Sequence, residues 1–319
     1  MAHYWALWLL VHVGGRVPLP ILEGIASSGG TLAWWCSRRL REVTRDHMRH
    51  VLGVGASQRD VDRAARDCVR TTARGYADFA HLSRMSPEIV REAITSFDGL
   101  DAILEAQAAG HGVIVISAHL GAPEVLSHAA PALGLHFGGI EEPLRPQRVY
   151  DFVRSVRAVP GVRYFTANLG GLREARAHLG AGNVLGLLVD RDVLGTGRPY
   201  AFFGERALMP TGAVEIARRT GAPIIAVWTL REHEVGRYRL VARRLDLPPA
   251  TGDRAIDLDS GMRAMLDALE DGIRLAPGQW FPLAPVWSGL AADRISEPHP
   301  DNPGPYNGSD GERTAAHGA

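Results

Sequence analysis

Two stretches of the chain hold residues whose types and spacing could do chemistry. In 113-VIVISAHLGAPEVL-126 a β-branched run leads through Ser117 and Ala118 to His119, and Glu124 follows five positions later. An imidazole can accept a proton near neutral pH, and a carboxylate against its other ring nitrogen would fix the tautomer and stabilise the imidazolium. No serine or cysteine nucleophile is obviously paired with the histidine. A His/carboxylate pair alone suits direct attack, in which the base activates a hydroxyl that then attacks a bound activated ester. As a bare pattern H-x4-E is weak, and a lone histidine at a strand end is more often structural. The context favours the functional reading: an apolar strand precedes it and a helix start follows. The second stretch is 184-VLGLLVDRDVLGTG-197, where a buried strand ends on Asp190-Arg191-Asp192 before a glycine loop. Asp-x-Asp invites a divalent metal on a nucleotide-sugar, hence a metal-dependent glycosyltransferase. The plainer reading is a salt-bridge network around Arg191.

Composition removes other chemistries. All 35 basic residues are arginine, balanced by 35 carboxylates. Without lysine there is no P-loop and no pyridoxal Schiff base. G-x-S-x-G, H-E-x-x-H and G-x-G-x-x-G are absent, which argues against hydrolase, zincin and dinucleotide readings. A formal net charge of zero gives no overall attraction for nucleic acid. Cys36 and Cys68 fit neither zinc spacing nor a disulfide framework and read as buried thiols of a reducing compartment. No metal and no cofactor is expected.

The elements that must position these residues follow from periodicity. Short apolar runs at 113–117, 135–140, 162–166, 184–189 and 223–229 alternate with helical patterns at 122–133, 146–158, 170–180 and 211–220, and a further helix fits 258–274. This predicts an α/β fold with a central, mostly parallel sheet flanked by helices and its chemistry at the carboxyl ends of strands. Ahead of it, Ser57 and Asp60 form a capping box for a helix over 57–84, and Ser86-Pro87 opens another. Three parts are expected: a helical, membrane-facing N-terminal part (1–98), an α/β body (99–287) and a disordered tail (288–319) rich in Gly, Pro and polar residues.

The N-terminal part suggests where the protein works. The run 4-YWALWLLVHV-13 is too short to span a bilayer, and 17–36 is interrupted by prolines, glycines and a glutamate. Neither reads as a signal peptide. Trp5, Trp8, Trp34 and Trp35 cluster here, followed by 37-SRRLREVTRDHMRH-50 with five arginines against two carboxylates. Apolar aromatic helices followed by a basic one suggest peripheral or monotopic attachment to an anionic membrane surface. A plain helical hairpin packed on the core is the alternative.

The segments HLGAPE, EPLRP, VDRDVLGTG, FFGERALMPTGAVEIARRTGAP and PGQWFPLAPVW, in this order and spacing, resemble the bacterial lipid A biosynthesis (late) acyltransferase family, in particular its actinobacterial phosphatidylinositol mannoside branch. The resemblance covers roughly residues 1–287. It implies transfer of a fatty acyl chain from acyl-CoA or acyl-carrier protein to a hydroxyl of a membrane glycolipid, at the cytoplasmic face of the plasma membrane. By that resemblance His119 is the general base and Glu124 its orienting carboxylate. Arg157 matches a family arginine that would hold a phosphate of donor or acceptor, with Arg154 and Arg163 as competitors. Asp190, Arg191 and Asp192 would lie near the site floor as substrate contacts. The acceptor stays open among phosphatidylinositol mannoside, lipid A-type and lysophospholipid classes. One departure is Pro123, where family members often have tryptophan; it bears on acceptor-side contacts.

Overall fold

A computed structural model describes residues 2–192 and 194–287. Four helices come first: α1 (Ala2–His12), α2 (Leu19–Cys36), α3 (Arg38–Leu52) and α4 (Gln58–Leu82). The body then runs α5 (Pro87–Glu92), β1 (Ile94–Asp98), α6 (Leu100–Ala108), β2 (Val113–Ser117), α7 (Pro123–Ala129), β3 (Phe137–Glu141), α8 (Gln147–Arg157), β4 (Arg163–Thr166), α9 (Leu169–Gly180) and β5 (Val184–Leu188). It continues through β6 (Arg198–Phe202), β7 (Glu205–Met209), α10 (Gly212–Thr220), β8 (Ile224–Arg231), β9 (Tyr238–Arg244) and α11 (Arg254–Leu275). The expected tail, 288–319, lies outside the described residues.

Seven strands form one sheet in the order β1-β9-β8-β2-β5-β3-β4. From β8 to β4 every neighbouring pair is parallel, while β9 runs antiparallel to β8 and carries β1 with it. β6 and β7 make a separate antiparallel hairpin whose turn residues, Phe203 and Gly204, both have positive φ. The sheet is thus mostly parallel, as the alternating pattern predicts.

The central strand shows why the fold is layered. All five residues of β2 are buried, and successive side chains go to opposite faces. Ile114 and Ile116 join a core with Met262, Met265 and Leu266 of α11 and with Ala65 and Val69 of α4. Val113 and Val115 join a second core with Ile103 of α6 and Val125 and Ala129 of α7. Each such side chain contributes about 1.5–3 kcal/mol by leaving water.

Helices α2, α3 and α4 contribute to the first of these cores, where Trp34, Met48, Val51 and Val61 join the sheet. Ser57 caps α4, accepting from Asp60 N at 3.2 Å and donating to Asp60 Oδ2 at 2.7 Å. β1 pairs into the main sheet, so the stretch 1–98 is not wholly helical. No helix among the described residues is long and apolar enough to cross a membrane. Yet α1 leaves Trp5 and Leu9 more than half exposed, and α2 exposes Ile21, Ile25, Leu32 and Trp35 along one face. Cys36 is exposed, contrary to the expectation of two buried thiols, because it ends α2 on that outer side. Cys68 is buried and donates to the Trp280 carbonyl at 2.7 Å.

Candidate active site

β2 and β5 are parallel neighbours, with Ser117 opposite Leu188. Two residues further along each strand, at the carboxyl edge of the sheet, stand His119 and Asp190. The Asp190 carboxylate is fully buried. Its Oδ1 lies 2.8 Å from His119 Nδ1, and its Oδ2 accepts from His119 N at 3.0 Å and from Trp280 Nε1 at 2.9 Å. Burial alone would raise the pKa of this acid. The charge and hydrogen bonds of His119, with the Trp280 donor, outweigh burial and hold it below the usual carboxylate range. An ionised Asp190 can only accept, so Nδ1 carries a proton, and in the neutral imidazole Nε2 is the atom left as acceptor. Nε2 has no hydrogen-bond partner among the described residues.

The loop carrying His119 is pinned on both sides. Ala122 N donates to Thr229 O at 2.9 Å, Gly121 N to Gln279 O at 2.9 Å, and Phe281 N to His119 O at 2.8 Å. Gly121 has a positive φ of 67°, and a Cβ there would run into the Thr229 carbonyl. Only glycine fits this passage between β8 and the closing segment. Trp280 is wholly buried against Phe202, Phe203, Trp287 and His47. That packing fixes the indole that feeds Asp190.

His119 opens onto a cavity of about 730 Å³. Leu126, Phe137, Ile140, Leu172, Leu187 and Ile216 give it apolar walls, and Glu124, Glu141 and Arg157 supply charge. A volume of this order is typical of a small-molecule site. β3 and β5 contribute Gly139 and Gly186 to its lining, and a Cβ on Gly186 would collide with the Phe137 ring.

In this structure the carboxylate on the imidazole is Asp190, whereas Glu124, the expected orienter, meets Arg157 instead. Glu124 sits in the first turn of α7, behind Pro123 at the first helical position. Its Oε1 accepts from Arg157 Nε at 3.0 Å and from Arg157 Nη2. A guanidinium in reach captures a carboxylate through paired donors. Pro123 lines the cavity and starts this helix. Of the three candidate arginines only Arg157 lines the cavity. Burial opposes its charge, but Glu124 and Glu141 overcome that and push its pKa up. Arg154 turns to Glu141 at 2.8 Å, and Arg163 pairs with Glu174 at 4.0 Å on the outside.

The D-R-D residues separate. Asp190, expected as a substrate contact, does not line the cavity; its oxygens serve His119 and Trp280. Arg191 and Asp192 do line it. Arg191 donates to Glu142 Oε2 at 2.6 Å, so the salt-bridge reading holds for it. Asp192 accepts from Thr196 N at 3.2 Å and Gly197 N at 2.7 Å, shaping the glycine loop. The two aspartates thus face different partners, and among the described residues no group of three or more His, Cys, Asp or Glu could hold a metal. Sequence reasoning missed Glu141, whose side chain is 3% exposed. Its Oε1 accepts from Tyr150 Oη at 2.9 Å and Arg154 Nε at 2.8 Å, and its Oε2 lies 3.7 Å from Arg157 Nη1. A carboxylate ending a buried strand was the available signal.

Comparison with known proteins decides the family. The family model for bacterial lipid A biosynthesis acyltransferases matches residues 1–288. The chain belongs to that family. It is 25% identical over 297 residues to a phosphatidylinositol mannoside acyltransferase of Mycolicibacterium smegmatis, covering 91% of this chain and 92% of the relative. A phosphatidylinositol mannoside acyltransferase of Mycobacterium tuberculosis (strain ATCC 25618 / H37Rv) is 25% identical over 204 residues, 63% of this chain. That second alignment spans 62% of the relative's own length.

Proposed function

We propose that this chain transfers a fatty acyl group from a thioester donor, acyl-CoA or acyl-carrier protein, to a hydroxyl of a membrane glycolipid, with a phosphatidylinositol mannoside as the favoured acceptor. The observation that carries the reading is the imidazole at the cavity wall. Nδ1 is held by a buried, ionised Asp190, and Nε2 is left for a ligand. The membership of the family supports the reaction class, and the names of the two relatives favour the acceptor.

In this mechanism Nε2 takes the proton of the acceptor hydroxyl as its oxygen attacks the thioester carbonyl. The tetrahedral intermediate collapses with cleavage of the C–S bond, and the imidazolium returns the proton to the leaving thiolate. Asp190 stabilises the imidazolium between the two transfers. No acyl-enzyme forms and no metal is required. The apolar walls take the acyl chain, and the Arg157 guanidinium stands at the cavity wall for a donor or acceptor phosphate. The exposed apolar faces of α1 and α2 lie on an anionic membrane surface, helped by Arg38, Arg39 and Arg49 of α3, as a peripheral or monotopic attachment at the cytoplasmic face.

The test is His119→Ala in this chain. Transfer of the acyl group from palmitoyl-CoA to a phosphatidylinositol mannoside in vesicles should vanish while the fold persists, and activity in the variant would refute the mechanism. EDTA should leave the wild-type rate unchanged. Mass spectrometry of membrane lipids with and without the gene should show one acyl chain lost from the acceptor.

A further inference from the structure

A buried ionic cluster behind the His119 loop takes no part in that chemistry. Arg231 ends β8 with its side chain 2% exposed. Its three donor arms reach three separate segments. Nη1 lies 3.4 Å from Glu23 Oε1 on α2, Nη2 donates to Asp78 Oδ2 on α4, and Nε donates to the Gly121 carbonyl at 3.3 Å. Glu23 also accepts from Arg74 Nε at 2.7 Å, so two guanidinium groups face two carboxylates. The main chain of Arg231 is tied as well: its N donates to Gln279 Oε1 at 2.8 Å, and its O accepts from Gln279 Nε2 at 3.0 Å. The same glutamine's carbonyl accepts from Gly121 N at 2.9 Å.

Well-packed apolar residues often serve stability as well as buried ion pairs do, so such a cluster is a weak stabiliser but a strong geometric constraint. Here the constraint falls on the loop that carries the base. Gly121 is two residues beyond His119, and its carbonyl is gripped from below by the guanidinium while its N–H is gripped by Gln279. The opposite end of the cluster is α2, whose other face exposes Ile21, Ile25, Leu32 and Trp35.

We propose that Arg231 is a positioning residue: it sets the 118–122 loop so that His119 Nδ1 meets Asp190, and through Glu23 it makes that setting depend on the seating of α2. The proposal rests on His119 being the base. Arg231→Lys keeps a positive charge beside Glu23 and Asp78 but replaces the three-way fork by one ammonium. With palmitoyl-CoA and a phosphatidylinositol mannoside in vesicles, kcat should fall about 10- to 100-fold, as expected for a slightly misplaced group, with KM for palmitoyl-CoA within about twofold. Glu23→Gln should lower kcat in the same sense but less. A purely structural role would lower the unfolding temperature and leave kcat of the folded protein untouched. A folded Arg231→Lys with wild-type kcat, beside an inactive His119→Ala, overturns the positioning role alone. Activity in His119→Ala overturns the base and the positioning role with it. Should Arg231→Lys fail to fold, a folded Glu23→Gln with wild-type kcat overturns the proposal equally.

Discussion

Asp190→Asn separates the two carboxylates that could serve His119. Three N–H groups converge on the two oxygens of Asp190: His119 Nδ1 on one, His119 N and Trp280 Nε1 on the other. An amide of the same shape has one oxygen and one NH2. Keeping the oxygen where two donors already point puts NH2 against Nδ1. The imidazole must then place its proton on Nε2, the atom required as base, or leave two N–H groups opposed at a cost of about 1–3 kcal/mol. Loss of the correct tautomer at a buried Asp–His pair lowers kcat by about 10⁴, close to 5 kcal/mol of barrier. The folded state should survive, since the volume is unchanged. Steady-state kinetics with palmitoyl-CoA and a phosphatidylinositol mannoside, checked against far-UV circular dichroism, measures this. Glu124→Gln is the companion variant: it weakens the grip on Arg157 and should raise KM, with at most about a tenfold loss in kcat. An Asp190→Asn enzyme within tenfold of wild type, or a Glu124→Gln enzyme as inactive as His119→Ala, would refute this assignment.

Trp280→Phe removes one of the two donors on Asp190 Oδ2, and we expect about 1–2 kcal/mol lower unfolding free energy by urea denaturation with less than a tenfold loss of kcat. His47, wholly inside and beside Trp280, is driven down to about 4 by burial and by neighbouring His50. The unfolded chain protonates this residue near 6.5, so stability should fall as pH drops below that value and the loss should be complete below about 4, amounting to roughly 3 kcal/mol; His47→Leu should flatten that part of the urea-denaturation profile. Leu9→Glu with Ile25→Glu places charge on the exposed apolar faces of α1 and α2 and should cut co-sedimentation with anionic phospholipid vesicles several-fold, leaving the fold intact.

Much of the body was legible because its central strands are largely apolar and mostly buried. The run Val113–Ile116 and the run at 184–188 have no polar face, and glycines and helical periods bracket them. The strands that escaped notice are of another kind. β1, ITSFD, is a short edge strand with polar residues, and β9, YRLVARR, ends in two exposed arginines. β6 and β7 lie outside the main sheet, with mixed exposure that gives no clean alternation. Their pairing comes from tertiary packing, such as Trp287 Nε1 donating to Phe202 O at 3.0 Å, which local pattern does not carry.

The site was legible as a set of residues but not as a set of partners, and the sheet explains why. His119 and Glu124 are close in sequence, so proximity suggests a pair. Yet α7 begins at Pro123, and the Glu124 carboxylate meets Arg157 at the end of α8. His119 and Asp190 are 71 residues apart. They meet only because β5 is hydrogen-bonded beside β2, with Ser117 against Leu188, so equal overshoots of two residues bring the imidazole and the acid face to face. Neighbour order in a parallel sheet is set by which crossover helices can cover which faces, and no window of sequence contains it. The pattern that did point to Asp190 was a carboxylate ending a strand of wholly apolar residues. Burial at 0% exposure demands compensating donors, and a histidine ending the adjacent strand is the group able to supply them. Two polar residues ending neighbouring buried strands thus meet here, while two polar residues five positions apart do not.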